Sequence, residues 1–86
     1  MYTAKINISI RKTILDPQGK AVEHSLKSLG FDPIEDTRIG KYIELKINVR
    51  SKKEAEKITD EACRKLLANP VMEDYTFEVF KNGDGK

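Results

Sequence analysis

Only a few side chains in this sequence could carry out chemistry. The one histidine, His24, and the one cysteine, Cys63, lie far apart in the chain, and neither has a partner at a spacing that would make it a general base or an activated nucleophile. One cysteine and one histidine are too few for a structural zinc site, and the acidic residues do not follow the pattern of a calcium loop. The sequence therefore predicts no catalytic residue and no metal site.

The remaining reactive groups have structural interpretations. Cys63 lies among apolar residues at helical spacing, which is typical of a small core residue. Glu73 and Asp74 are adjacent carboxylates, but successive side chains of an extended segment point in opposite directions. We therefore interpret the two carboxylates as solvated or interface charges.

The segment Asp16-Pro17-Gln18-Gly19 is the best candidate for an anion site. A helix that begins here presents free N–H groups and partial positive charge, and Gly19 would allow close approach of a ligand, with Lys12 and Lys20 near in sequence. The alternative is that Asp16 caps the helix and already occupies those donors. This alternative requires no ligand, and we prefer it.

A second polar segment, Arg38-Ile39-Gly40-Lys41, has two interpretations as well. A hairpin bend explains Gly40 without any ligand or partner. Arg38 and Lys41, on either side of the bend, would also be well placed to reach a partner protein from an exposed tip.

Composition narrows the class of protein. Lys and Arg number 16 and Asp and Glu 14 in 86 residues, a net charge of +2 that is spread along the chain, whereas a nucleic-acid site requires concentrated basic charge. No apolar run could span a membrane, and the N-terminus does not resemble a signal peptide. We expect a cytoplasmic protein that binds neither nucleic acid nor membrane. A chain of this length has a thin core, so association would add useful buried surface.

Hydrophobic periodicity predicts the elements that must position these residues. Strands are predicted over Tyr2–Arg11, Ile34–Ile39, Lys41–Arg50 and Tyr75–Phe80. One helix is predicted over about Pro17–Leu29, where Gly30 ends the run, and a second from a capping box of Ser51 and Glu54 to about Ala68. We expect one domain over residues 1–80 and a flexible tail over 81–86.

This order of elements predicts an α+β, ferredoxin-like β-α-β-β-α-β sandwich, in which a four-stranded antiparallel sheet carries both helices on one face. The fold alone does not decide function. An acylphosphatase requires a glycine-rich loop after the first strand, and Arg11–Leu15 contains no glycine. An RNA-recognition module requires stacking aromatic residues on the first and third strands, where this sequence has mostly polar side chains.

The segment Leu67–Tyr75 is more specific than a connection between a helix and a strand needs to be. Asn69-Pro70 alone would end a helix, yet Val71–Tyr75 follows as a further pattern. Together with the two polar segments upstream, it resembles the small subunit of phosphoribosylformylglycinamidine synthase, the PurS family, from about Ile6 to Val79.

The resemblance implies a non-catalytic adaptor in purine biosynthesis. In that family a large subunit uses ATP and Mg to convert formylglycinamide ribonucleotide to its amidine, a glutaminase subunit releases ammonia from glutamine, and the small subunit forms dimers or tetramers and holds the other two together. No cofactor is expected on this chain. The positions that match the family's motifs, and that we take as interface or docking candidates, are Asp16, Pro17, Gln18, Gly19, Arg38, Gly40, Lys41, Asn69, Pro70, Glu73, Asp74 and Tyr75.

Two other functions stay open from the residues alone. A ligand-sensing module of the amino-acid-binding kind would bind through backbone atoms and leave little trace in the sequence. An interaction domain unrelated to purines is the second alternative. Within Leu67–Tyr75, stopping the helix and docking a partner explain the residues equally well.

Overall fold

The protein is described by a computed structural model that covers residues 1–82. Its elements are β1 (Tyr2–Ile10), α1 (Pro17–Ser28), β2 (Lys41–Ile47), α2 (Lys52–Ala62), a π-helical turn (Cys63–Leu67) and β3 (Glu73–Lys81).

The three strands form one antiparallel sheet in the order β2-β1-β3. The central strand β1 places Ile6 opposite Ile43 on one side and Phe77 on the other. Strand β3 extends to Lys81, and the Asn82 N–H donates to the Met1 carbonyl oxygen over 3.0 Å. The rest of the predicted tail, residues 83–86, lies outside the described residues.

The core lies between the sheet and α2. Alternation in β1 directs Ala4, Ile6 and Ile8 to one buried face, as the sequence predicted. Helix α2 covers this face with Ala55 and with Thr59, whose buried hydroxyl donates to the Ala55 carbonyl oxygen over 2.7 Å. The helix therefore contributes small side chains and a satisfied hydroxyl, so it approaches the sheet closely.

Both helices begin and end through local contacts. Ser51 Oγ accepts from the Glu54 N–H over 3.1 Å at the start of α2, as predicted. Helix α1 ends in a Schellman arrangement at Gly30, whose φ is +98°. Helix α2 continues into a π-turn, in which the Ala68 N–H donates to the Cys63 carbonyl oxygen over 3.0 Å. Neither helix has the length and apolar character that crossing a bilayer requires within residues 1–82.

The expected fourth strand, Ile34–Ile39, is corrected by the structure. Within residues 1–82 the sheet has three strands, and segment 34–39 lies outside it. Asp36 has a φ of +51°, which interrupts any extended run. The backbone N–H groups of Thr37 and Ile39 donate to side chains of α1 and its cap, so they are not free to pair with a strand.

Helix α1 also departs from the expected layer. It packs at most marginally on any other element, whereas α2 contacts β1 and β3. Residues 17–36, named here the arm, therefore extend away from the sheet, and the radius of gyration is 16.6 Å against about 12 Å for a compact chain of this length. Leu29 is 73% exposed and Phe31 52% exposed on this arm. The expectation that both helices cover one face is thus wrong for the single chain.

Truncating the core should cost far more stability than truncating the surface. Ile6 is fully buried and Leu66 is 82% exposed. We expect Ile6→Ala to lower the free energy of unfolding by about 2–5 kcal/mol and Leu66→Ala to change it by less than about 0.5 kcal/mol. Urea denaturation at one fixed protein concentration measures both values, and equal losses would contradict this core assignment.

Candidate functional site

The three motif segments meet at one end of the sheet. Strand β1 ends where β2 and β3 begin, since Ile8 lies opposite Lys41 and Ile10 lies opposite Glu73. The connections that leave this end carry residues 16–19, 38–41 and 69–75. Motifs that are separate in sequence therefore form one region, which consists of two polar networks.

The first network is built on Asp16, a buried carboxylate at the start of α1. Its Oδ1 accepts from the Gly19 N–H over 3.0 Å, and its Oδ2 accepts from the Ile39 N–H over 2.7 Å. These bonds, that from Ile39 first, hold the pKa of Asp16 below its ordinary value. The capping interpretation is confirmed, and the same carboxylate has a second, non-local partner.

Arg38 belongs to the same network and is half-buried. Its Nη1 donates to the carbonyl oxygens of Arg11 (3.1 Å) and Ile14 (2.9 Å), and its Nη2 donates to that of Lys12 (2.8 Å). Its Nε lies 3.3 Å from Asp36 Oδ1. The guanidinium is therefore used within the chain to hold the connection between β1 and α1, which sequence reasoning did not foresee.

Glu23 completes this network from the second turn of α1. Its Oε1 accepts from the Thr37 N–H over 2.9 Å, and this bond is the main cause of the lowered pKa of Glu23. Asp16, Glu23 and Arg38 are named here the clamp. Together they join the chain that enters the arm to the chain that leaves it.

Two glycines of the motifs are required by close backbone approach. A Cβ on Gly19 would lie 2.2 Å from the Thr37 carbonyl oxygen, and a Cβ on Gly40 would lie 2.5 Å from the Ile8 carbonyl oxygen. Both distances are too short for any side chain, because the contacting atom is backbone. Gly40 thus allows a crossing against β1, and no hairpin of two strands forms there.

The second network shapes the loop over residues 69–73, named here the closing loop. Asn69 Oδ1 accepts from the Val71 N–H over 2.9 Å, while Glu73 Oε1 accepts from the Asn69 N–H over 2.7 Å. The Glu73 N–H returns a bond to the Asn69 carbonyl oxygen over 2.8 Å. Lys41 Nζ lies 3.5 Å from Glu73 Oε1 and links β2 to the loop.

Arg11 fastens the closing loop, and sequence reasoning missed this role. Its Nη2 donates to the Pro70 carbonyl oxygen over 2.7 Å, its Nη1 to that of Val71 over 3.2 Å, and its Nε to Asp74 Oδ1 over 3.0 Å. Its backbone N–H also donates to the Met72 carbonyl oxygen. The only available signal was an arginine directly after the alternating strand, which does not identify partners about sixty residues away.

Tyr75 connects the loop to α2. Its hydroxyl donates to Asp60 Oδ1 over 2.5 Å, and Asp60 Oδ2 accepts from Arg64 Nε over 3.0 Å. This hydrogen bond raises the pKa of Tyr75 and lowers the pKa of Asp60. An open cavity of about 440 Å³ lies here, lined by Arg11, Cys63, Arg64, Ala68, Pro70, Glu73, Asp74 and Tyr75.

The cavity does not combine groups for nucleophilic or metal chemistry. Cys63 is buried, and burial raises the pKa of its thiol, which disfavours the reactive thiolate. His24 is exposed on α1 and does not line the cavity. In the described part of the chain, no three His, Cys, Asp or Glu residues are placed to share a metal ion.

The candidate residues differ in how much surface they leave for a partner. Internal bonds or close packing occupy Asp16, Gly19, Arg38, Gly40, Glu73 and Tyr75. Exposed residues that could still present a surface to a partner are Pro17, Gln18, Lys41, Asn69, Pro70 and Asp74, of which Lys41, Asn69 and Asp74 also make the internal contacts described above. A docking role for any of them stays a prediction.

Acid should weaken the Asp16 contacts. Because the folded-state pKa lies below the ordinary value of 3.8, the carboxylate stabilises the fold fully above that value, and this contribution is lost as pH falls through the lower pKa. Asp16→Asn keeps a helix cap but loses the charge. We expect the stability advantage of the natural chain over this variant to be constant from about pH 7 to 5 and to shrink from about pH 4 to 2.

Urea denaturation of both proteins across this pH range tests the assignment. Taking the difference between the two proteins removes the contributions of carboxylates outside the clamp. An advantage that persists unchanged to the lowest pH would contradict a depressed pKa at Asp16.

Removing the Arg11 guanidinium should loosen the closing loop. Arg11→Gln cannot bond both carbonyl oxygens and Asp74, so we expect faster hydrogen exchange at the Asn69, Met72 and Glu73 amides. The matched control is Arg64→Gln, which removes an arginine that bonds Asp60 instead of the loop. Unchanged exchange in the first variant, or equal acceleration in both, would show that Arg11 does not hold the loop.

Comparison with known proteins confirms the resemblance carried by the motifs. The PurS family model, described as phosphoribosylformylglycinamidine (FGAM) synthase, matches residues 3–81. The phosphoribosylformylglycinamidine synthase subunit PurS of Bacillus subtilis is 47% identical over 79 residues, 92% of this chain and 93% of the relative. That of Methanocaldococcus jannaschii is 33% identical over 81 residues, 94% and 98% of the two chains.

Solved structures agree with the sequence comparison. A structure of Bacillus subtilis PurS has a TM-score of 0.85 at 46% identity and covers 94% of this chain and all of its own. A chain in the structure of PurLQS from Thermotoga maritima has a TM-score of 0.84 at 32% identity, covering 92% of this chain and 96% of its own. Because the family model and its relatives span nearly the whole chain, and the fold agrees with theirs, this chain belongs to the PurS family.

Proposed function

We propose that this chain is the small, non-catalytic adaptor subunit of phosphoribosylformylglycinamidine synthase. One observation carries the proposal: over 92% of its length the chain matches a protein named as that enzyme's PurS subunit. The site supports an adaptor role, because the motif side chains shape loops instead of forming a reactive group. The chain is thus a required part of an ATP- and glutamine-dependent ligase whose reactions occur on other subunits.

The proposed partners are the synthetase subunit and the glutaminase subunit of the same enzyme. The likeness to a chain in PurLQS from Thermotoga maritima supports an assembly of this kind. ATP, Mg and glutamine would bind to the two larger subunits, and no cofactor to this chain. The adaptor would work in the cytoplasm, where purine nucleotides are made, and would bring ammonia release close to ammonia use.

We propose that a second copy of the chain packs against the exposed apolar residues of the arm. Val22, Leu29 and Phe31 are exposed on the arm, while Ile43 and Leu45 are only half-buried on the sheet face beside α2. Burying apolar surface stabilises by roughly 25 cal/mol per Å². A homodimer, or a tetramer built from it, would cover both surfaces and complete the layers of a ferredoxin-like sandwich between copies.

The exposed motif residues are the proposed contacts to the larger subunits. Pro17 and Gln18 at the start of α1, and Asn69 and Pro70 in the closing loop, lie at the same end of the sheet. The two networks fix the backbone beneath them, and a pre-organised surface loses less conformational entropy on binding. The remaining exposed candidates, Lys41 and Asp74, flank this surface as charges.

Reconstitution tests the adaptor role directly. Glutamine-dependent formation of formylglycinamidine ribonucleotide should require this chain in addition to the two larger subunits. The double variant Gln18→Ala, Pro70→Ala should raise the chain concentration for half-maximal activity on the order of tenfold, about 1.4 kcal/mol of binding.

The matched control is Lys53→Ala, Glu56→Ala on the exposed side of α2, which should leave that concentration unchanged. Undiminished product formation in the absence of this chain would refute the adaptor role. Equal effects of the two double variants would refute the proposed docking surface but not the adaptor role.

A further inference from the structure

The arm is joined to the rest of the molecule by two connections that run side by side. Residues 11–16 lead from β1 into α1, and residues 37–40 lead from the arm into β2. The clamp bridges them through bonds to Ile39, Thr37 and the carbonyl oxygens of the first connection. Elsewhere α1 packs at most marginally on the other elements, so the direction of the arm is decided at this crossing.

Hydrophobic burial alone would favour a different direction. Leu29 and Phe31 are exposed on the arm, and the sheet face that α2 leaves partly open carries half-buried Ile43 and Leu45. Folding the arm back onto its own sheet would bury both surfaces, as expected from the order of elements. Because apolar surface favours closure, a specific interaction must hold the arm away.

We propose that the clamp is a conformational device that holds the arm open and prevents it from folding back onto its own sheet. Holding the arm is a role that follows from the bonds of the three clamp residues. Asp16 and Glu23 each accept from a backbone N–H of residues 37–40, and Arg38 donates to a carbonyl oxygen of residues 11–16. In the open form the two connections lie within hydrogen-bond distance of these side chains. In the closed form that the proposal excludes, the two connections would leave the sheet in other directions, and these bonds would break together.

The bonds are of the strong kind. Each has an ionised side chain as donor or acceptor, and such hydrogen bonds are about twice as strong as neutral ones. The lowered pKa values of Asp16 and Glu23 agree, because both carboxylates are held ionised by backbone N–H groups. Gly19 contributes by letting α1 approach the Thr37 carbonyl oxygen, where any Cβ would collide at 2.2 Å. The crossing is therefore close-packed, and the backbone N–H groups of Thr37 and Ile39 are both bonded.

Asp16→Asn separates capping from clamping. Its single side-chain oxygen can still accept from the Gly19 N–H and start the helix. The amide nitrogen that replaces the second oxygen cannot accept from the Ile39 N–H. Arg38→Lys similarly keeps the positive charge but cannot reach three carbonyl oxygens at once.

The distance between the arm and the sheet tests the proposal. Spin labels at Ser28→Cys and Lys46→Cys, both exposed positions, are placed in a Cys63→Ala background, and pulsed electron resonance measures the distance between them. The doubly labelled chain is diluted into a large excess of unlabelled chain, so that only distances within one chain contribute. The measurement requires neither of the larger subunits, so its result is independent of the proposed function.

We expect one long distance in the parent chain. Asp16→Asn and Arg38→Lys should each add a population shorter by on the order of 10 Å, about one helix diameter. The matched control, Arg64→Gln, should leave the distance unchanged. An unaltered distance in both clamp variants would overturn the proposal, as would an equal change in the control.

Circular dichroism establishes that each variant is folded. If Asp16→Asn unfolds, the distances in Arg38→Lys and Glu23→Gln test the proposal instead. Glu23→Gln is the milder change, because it weakens only the bond from the Thr37 N–H. Retention of the long distance in both of these folded variants would equally overturn the proposal.

Discussion

One carboxylate ties together the parts of this molecule that are far apart in sequence. Asp16 accepts one backbone N–H from its own helix and a second from Ile39, more than twenty residues later. The first bond starts α1, and the second sets where the arm leaves the sheet. Because α1 packs at most marginally on the other elements, the direction of the arm depends on this bridge and on Arg38 beside it.

Most of the side chains that identify the family form hydrogen bonds to backbone groups, at the end of the sheet where the three motif segments meet. Arg38 and Arg11 each donate to carbonyl oxygens of irregular segments, and Asn69 and Glu73 exchange bonds across the closing loop. Irregular backbone leaves polar groups unpaired unless side chains reach them. A family can therefore keep such residues without any of them taking part in a reaction, which is consistent with a subunit that supplies shape.

The sequence predicted the features that depend on residues close together in the chain. It did not predict the contacts between residues that are far apart in the chain. Alternation in Tyr2–Ile10, the caps at Asp16 and Ser51 and the helix end at Gly30 are local, and all were found. The strand expected over Ile34–Ile39 failed because Asp16 and Glu23 take its N–H groups, and no local pattern encodes that competition. The role of Arg11 was hidden for the same reason, since a guanidinium shows no preferred partner in sequence.

Polar and apolar contacts have divided roles in this chain. The interior consists of small clusters around β1, with Ala4, Ala55 and Cys63 among its fully buried residues, and such a thin core gives limited stability alone. Directional polar bonds fix the loops and the arm, while larger apolar side chains such as Leu29 stay exposed. Since hydrogen bonds specify geometry and hydrophobic burial supplies most of the free energy, the chain defines its shape internally and leaves apolar surface whose burial against a second copy, as proposed above, would add stability.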